Sequence, residues 1–178
     1  MTPPDPIVFT QFGDLIWLRV EGKGCFQNSP MLKEFCVAMV ERGALKIVVD
    51  LENCPVMDST FMGVLSGIAC RLADKGDEGT LSILNANLRN QKALVSLGLD
   101  QVFEVDLEGE SYPEERRAVA QRTAAVAAVP DVQVSKADQA EIMLEAHEAL
   151  GEINPDNIPR FKDVVSFLRE DLDRLKQP

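Results

Sequence analysis

Three residues with hydroxyl or carboxylate side chains stand together near the middle of the chain, as Asp58-Ser59-Thr60. They follow an apolar run, Ile47-Val48-Val49, which has the length and composition of a strand buried on both faces. They precede an apolar pattern at helical spacing that begins with Phe61. A hydroxyl at this point lies in the first turn of a helix, where backbone N–H groups and the helix dipole favour an anion.

The same stretch resembles the STAS family, the domain of bacterial anti-sigma-factor antagonists. The similarity rests on the V-V-D-L strand, the M-D-S-T segment and Gly63, with a second match at Leu97-Gly98-Leu99 before Phe103. It covers about residues 7 to 125. In the family, the serine after the aspartate is phosphorylated. By position this residue is Ser59.

The resemblance also implies a partner-binding segment, made of Asp58, Ser59, Thr60, Phe61 and Met62. Thr60 is the less favoured phosphorylation site. Phe61 occupies a position where the family usually has glycine, so it adds bulk where a partner protein would dock. Met62 takes the family's Leu/Ile position.

Simpler roles for these residues stay open. Ser59 could serve only as an N-cap, the commonest role of a serine at a helix start. Asp58 could hold magnesium, but Asp50 is the only nearby carboxylate to join it, so a role in shaping the loop is favoured.

No catalytic, cofactor-binding or metal-binding residues are expected, and the chain is not expected to be an enzyme. The single histidine, His147, is expected to be a satisfied or surface residue. Cys54 has no basic neighbour to lower its pKa, and the four cysteines form no C-x-x-C pair. The Gly22-Lys23-Gly24 loop lacks the spacing of a phosphate-binding loop.

Composition restricts the class of partner. The chain has 178 residues and a net charge of −11, from 18 basic and 29 acidic residues, with no basic patch. Nucleic acid and anionic membranes are therefore poor candidates as partners. No apolar run approaches the roughly 20 residues of a membrane span, and residues 1–5 lack the features of a signal peptide. We expect a cytoplasmic protein without membrane insertion.

Strands alternate with helices after an opening hairpin, which predicts an α/β fold with a mixed sheet of four to five strands and helices mainly on one face. Helix starts are expected at Ser29-Pro30, at Asp58-Ser59-Thr60 and at Asn85 or Asn87. The predicted strands are 7–10, 15–21, 47–50, 80–84 and 102–105.

The C-terminal part lies outside the family pattern. Residues 111–129 predict one more helix, so the expected domains are 1–129, STAS-like, and 130–178, a helical hairpin. The hairpin comprises a helix capped by Ser135 or Asp138, a proline-rich connector at 154–159, and a last helix with an apolar stripe. Its docking surface stays open, and self-association through these helices is one alternative.

These features predict a non-catalytic regulatory module of the anti-sigma-factor-antagonist type. The resemblance implies two partners: an anti-sigma factor with serine kinase activity, and an opposing phosphatase. Phosphate on Ser59 would control binding. The alternative is a constitutive STAS scaffold, or an accessory subunit of a transporter or ATPase, with no phosphorylation. The kinase, the sigma factor, the stimulus and the oligomeric state are not specified by the sequence.

Overall fold

The computed structural model describes residues 4–177 and contains one mixed six-stranded sheet. The order across the sheet is β5-β4-β3-β2-β1-β6. Strands β2 to β5 run parallel, whereas β1 is antiparallel to both of its neighbours. The strands are β1 (Ile7–Phe12), β2 (Leu15–Val20), β3 (Lys46–Asp50), β4 (Thr80–Leu84), β5 (Glu104–Asp106) and β6 (Ala127–Ala128).

Six α-helices accompany the sheet. They are α1 (Ser29–Glu41), α2 (Ser59–Ala73), α3 (Leu88–Ser96), α4 (Pro113–Ala120), α5 (Lys136–Ile153) and α6 (Asn157–Leu175). The main core joins α1, α2, α3 and α5 to one face of the sheet. On the other face, Phe12, Tyr112 and Val119 pack against a small cluster around Trp17. Tyr112 precedes α4 and Val119 lies within it. The predicted α/β fold with helices mainly on one face is confirmed.

Strand β3 lies inside the sheet, and four of its five residues are buried. Ile47, Val48 and Val49 are 1%, 0% and 0% exposed, because β2 and β4 flank the strand and side chains cover both faces. Its β-branched residues suit this pleated and fully enclosed position. The prediction that this run is a doubly covered strand is confirmed, and the strand carries the chain directly to the segment before Ser59.

The prediction of one helix over residues 111–129 is wrong. Helix α4 ends at Ala120, and Arg122 then adopts a left-handed conformation with φ of 55°. The alanine-rich end instead forms β6, which pairs with β1 through Phe9↔Ala127 and Val8↔Ala128. The open edge of β1 offers backbone hydrogen bonds that outweigh the helix propensity of alanine. The sheet therefore has six strands rather than four to five.

The predicted C-terminal helical hairpin is confirmed. Its two helices are antiparallel, because Arg169 pairs with Glu148 while Lys176 pairs with Glu141. The connector is shorter than predicted, since α6 already begins at Asn157 and includes Pro159. A proline is tolerated in the first helical turn, where the backbone N–H has no partner within the helix.

The hairpin packs on the sheet domain through α5. Ala146 and Leu150 are 2% and 0% exposed and belong to the same hydrophobic core as β3 and α2. Asn157 connects the hairpin further, because its side-chain amide donates to the backbone oxygens of Leu97 and Leu150. Within residues 4–177, no helix is both long enough and apolar enough to cross a membrane.

Several element ends differ from prediction by a few residues. Asn28, not Ser29, precedes α1, and the Ser29 hydroxyl donates to the Cys25 carbonyl oxygen. Of the alternative caps, Asn87 caps α3 and Ser135 caps α5, the latter in a reciprocal pair with Asp138. These differences leave the order of elements around Ser59 unchanged.

Candidate functional site

The start of α2 is fixed by Asp58. One carboxylate oxygen accepts from the backbone N–H of Phe61 at 2.8 Å, and the other accepts from the N–H of Phe26 at 2.8 Å. The Asp58 N–H donates in turn to the Gly24 carbonyl. Asp58 is thus the N-cap, and it also holds the loop after β2 against the helix start. Its predicted role in shaping the loop is confirmed.

Ser59 is consequently the first residue inside α2, and its hydroxyl is not the cap. The simple interpretation of Ser59 as an N-cap is therefore wrong. Its side chain is half-buried rather than fully exposed.

The Ser59 hydroxyl contacts His147 on α5. Its Oγ lies 2.9 Å from Nε2 of the ring, and Nδ1 lies 2.7 Å from the Met143 carbonyl oxygen. A carbonyl only accepts, so Nδ1 carries a proton. In the neutral ring, Nε2 then accepts the Ser59 proton. His147 is 4% exposed and its ring meets Phe161 edge to face at 5.0 Å, so its prediction as a satisfied histidine is confirmed.

One turn further along α2, the backbones of α2 and α5 come close together at Gly63. A Cβ atom built on Gly63 would lie 2.3 Å from the carbonyl oxygen of Ala146, the residue before His147. Only glycine permits this approach. A Cβ on Gly67, one turn on, would meet nothing within 4 Å. Gly63 therefore sets the position of α5, and with it the contact between His147 and Ser59.

The other members of the predicted partner-binding segment point inward. Thr60, Phe61 and Met62 are 3%, 0% and 5% exposed. Phe61 packs against Gly24, where an added Cβ would lie 2.8 Å from the ring. The expectation that Phe61 adds bulk at a docking surface is wrong, because its ring fills the core beneath the loop after β2. Asp58 and Ser59 are the members of the segment that reach the surface.

Carboxylates near the site already accept hydrogen bonds. Asp50 accepts from the Trp17 indole at 3.3 Å, from the Asn85 amide at 2.8 Å and from the Glu52 N–H at 3.1 Å. Both oxygens of Asp58 accept from backbone N–H groups. Across residues 4–177, the structure contains no group of three or more His, Cys, Asp or Glu side chains suited to hold a metal ion.

Cys36, Cys54 and Cys70 are not activated as nucleophiles. Burial raises the pKa of the Cys54 thiol above its usual value, and hydrogen bonds from the backbone and Asn90 offset this only in part. Burial likewise raises the pKa of Cys36 and Cys70. A raised pKa leaves less thiolate at neutral pH, so these groups have low reactivity.

The STAS domain family model matches residues 6–113 of this chain. The match covers more than half of the chain and includes the whole stretch from β1 to β5. The chain belongs to the STAS domain family. The comparison with curated proteins found no match.

Solved structures share the same fold. A Thermotoga maritima protein assigned as an anti-sigma factor antagonist is 22% identical, with a TM-score of 0.54, over 61% of this chain and 93% of that one. SpoIIAA from Bacillus, in its unphosphorylated form, is 18% identical with a TM-score of 0.52, over 65% and 96%. An anti-sigma factor antagonist from Mycobacterium paratuberculosis is 17% identical with a TM-score of 0.51, over 68% and 96%. The family match ends at residue 113, before α5 and α6.

Sequence reasoning missed two features of the site, namely the Ser59–His147 contact and the Gly63–Ala146 crossing. Ser59 and His147 are 88 positions apart, and no motif links them. The available signals were the single histidine on an apolar stripe and a glycine within α2. Neither signal specifies which surface α5 covers.

Proposed function

We propose that this protein is a non-catalytic regulatory module of the anti-sigma-factor-antagonist type, controlled by phosphorylation of Ser59. The observation that carries the proposal is that Asp58 and Ser59 have different roles at the start of α2. Asp58 caps the helix, so the Ser59 hydroxyl at the first helical position is not needed for capping. Thr60 is less suitable, because it is 3% exposed.

The proposed partner is a cytoplasmic anti-sigma factor with serine kinase activity. The kinase transfers the γ-phosphoryl group of a nucleoside triphosphate to Oγ of Ser59. The bond to the β-phosphate oxygen breaks, and the hydroxyl proton passes to a base of the kinase. The opposing phosphatase returns Ser59 by hydrolysis. The added charge of roughly −1.5 to −2 stands at the positive end of α2, which tolerates it, while a docked acidic surface does not.

A second candidate is a constitutive STAS scaffold without a switch, such as an accessory subunit of a transporter or ATPase. The observation that favours it is the hydrogen bond from Ser59 to His147, which holds the hydroxyl beneath α5. In that case, Ser59 and His147 serve only to fix the hairpin on the domain.

The first prediction concerns partner binding. Ser59→Ala should bind the anti-sigma kinase at all times, and Ser59→Asp should bind at least tenfold more weakly than the unmodified wild type. The physical reason is the negative charge that a docked partner must desolvate. The measurement is a binding titration of purified full-length variants against that kinase, combined with the intact mass of protein purified from its native cells.

Ser111→Asp is the matched control, because Ser111 is exposed in the loop before α4 and the substitution adds the same charge. It should bind like wild type. Equal affinities for Ser59→Ala, Ser59→Asp and wild type, together with a mass that carries no phosphate, would favour the constitutive scaffold.

A further inference from the structure

We infer that the α5–α6 hairpin is an internal competitor for the Ser59 surface: docking of α5 on α2 and phosphate on Ser59 exclude each other. The biological trigger rests on the proposed phosphorylation of Ser59. The physical exclusion does not depend on that proposal, and it is tested without the kinase.

The space between Ser59 and His147 is the first reason for this exclusion. Oγ of Ser59 and Nε2 of His147 are in direct hydrogen-bond contact at 2.9 Å, so a phosphoryl group on Oγ has no room between them. Helix α5 cannot shift only around His147, because its backbone already touches α2 at Gly63, one turn away. Room for a phosphate therefore requires α5 to move as a whole.

The negative charge of α5 is the second reason for the exclusion. Helix α5 has five acidic residues and one basic residue, Lys136. The ring of His147 presents the lone pair of Nε2 to Ser59 when it is neutral, because the proton on Nδ1 is held by the Met143 carbonyl. A dianion placed there would stand against an acidic helix and would lose its water. Both effects disfavour the docked position of α5.

The interface between α5 and the domain is partly open to solvent, which is the third reason. A cavity of about 120 Å³ lies between α1, α2 and α5, lined by Val64, Ile68, Ile142 and Ala146 among others. The ion pair of Lys33 with Glu145 beside this cavity is substantially exposed, with side chains 31% and 55% accessible. Exposed ion pairs contribute little to stability. The interface therefore has an open margin beside Lys33 and Glu145, where separation of α5 can begin.

The exclusion is reciprocal by thermodynamic linkage. A phosphate that weakens docking of α5 is itself disfavoured by docked α5, which also covers the Ser59 hydroxyl. The hairpin thus acts as a reversible cover on the site, and its release is coupled to modification of the serine beneath it.

The test uses the full-length protein with phosphoserine installed at residue 59 during synthesis, and hydrogen–deuterium exchange as the readout. Amides of α5 should exchange at least tenfold faster than in the unmodified protein, while those of β3 stay protected. Phosphoserine at residue 111, which is exposed and precedes α4, is the matched control and should leave α5 protected.

A second pair of variants tests the cover without any phosphate. Gly63→Ala should also speed exchange in α5, because its Cβ would overlap Ala146, whereas Gly67→Ala adds the same methyl group where nothing lies within 4 Å. Unchanged or slower exchange in α5 with phosphoserine 59 would overturn the inference. Loss of protection in β3 together with α5 would overturn it as well, because the hairpin would then belong to one cooperative core.

The experiments distinguish a failure of the proposed function from a failure of the exclusion. If the native protein carries no phosphate on Ser59 but phosphoserine 59 releases α5, the proposed function fails and the exclusion stands. If Ser59 is phosphorylated and controls the partner while α5 stays docked, the exclusion fails and the proposed function stands.

Discussion

At the scale of single residues, the site depends on two neighbours with different tasks. Asp58 holds the helix start through the N–H groups of Phe61 and Phe26. The Ser59 hydroxyl forms a hydrogen bond with His147, which belongs to an element far along the chain. A change at Asp58 therefore acts on the sheet domain, whereas a change at Ser59 acts on the attachment of the hairpin.

A double-mutant cycle measures this attachment. Ser59→Ala and His147→Ala should each lower the free energy of unfolding, by about 1 kcal/mol for the lost hydrogen bond. His147→Ala should cost more, because it also removes the edge-to-face contact with Phe161. The double variant should lose about 1 kcal/mol less than the sum of the single ones, as measured by urea unfolding. Strict additivity would mean that the two side chains do not interact.

At the scale of elements, the short helix α4 is held to β5 by an ion pair. Arg116 contacts Asp106 at 2.7 Å, and the backbone N–H groups of Gly109 and Ser111 donate to the same carboxylate. Burial alone would raise the pKa of Asp106, but these hydrogen bonds outweigh it and lower the pKa to about 2. An unfolded aspartate has a pKa near ~3.9.

The sign of the resulting pH dependence follows. The lowered pKa of Asp106 contributes stability above pH ~4, and this contribution is lost as the pH falls toward 2. Asp106→Asn should therefore be less stable than wild type at pH 7, and the difference should shrink between pH 4 and pH 3 in urea unfolding. Asp77→Asn, in the exposed turn after α2, is the control. A difference that stays constant down to pH 3 would contradict the role of the Asp106 carboxylate.

The elements also show how far sequence reasoning reaches. The buried run of β3 and the capped start of α2 were predictable, because local composition decides them. The segment after α4 was not, because β6 exists only through pairing with the edge of β1. The site was half predictable in the same way: Asp58 and Ser59 are local, whereas His147 reaches Ser59 only through the long-range docking of α5.

At the scale of the whole molecule, the hairpin adds to a core that the STAS domain already builds. Leu150 is fully buried against that core, which otherwise consists mostly of residues from the sheet and from α1, α2 and α3. The proposed division into 1–129 and 130–178 follows this arrangement.

Truncation after Val129 provides the test of that division. The fragment should keep the circular dichroism spectrum of an α/β fold but should unfold at lower urea, because loss of Leu150 alone exposes apolar surface worth about 2 kcal/mol. The control is a loop insertion between residues 131 and 132, which should leave the spectrum and the stability nearly unchanged. An unfolded fragment would show that the hairpin is an obligatory part of one domain.

The segment between β6 and the cap of α5 comprises only residues 129–134, so the hairpin stays close to α2. A short tether of this kind corresponds to a local concentration on the order of millimolar. A partner that binds the same surface must compete with α5 at this local concentration. If α5 is docked for about 99% of the time, the apparent Kd of such a partner is about 100-fold weaker than for the open form. The length of this six-residue tether thereby contributes to the partner abundance at which the protein first responds.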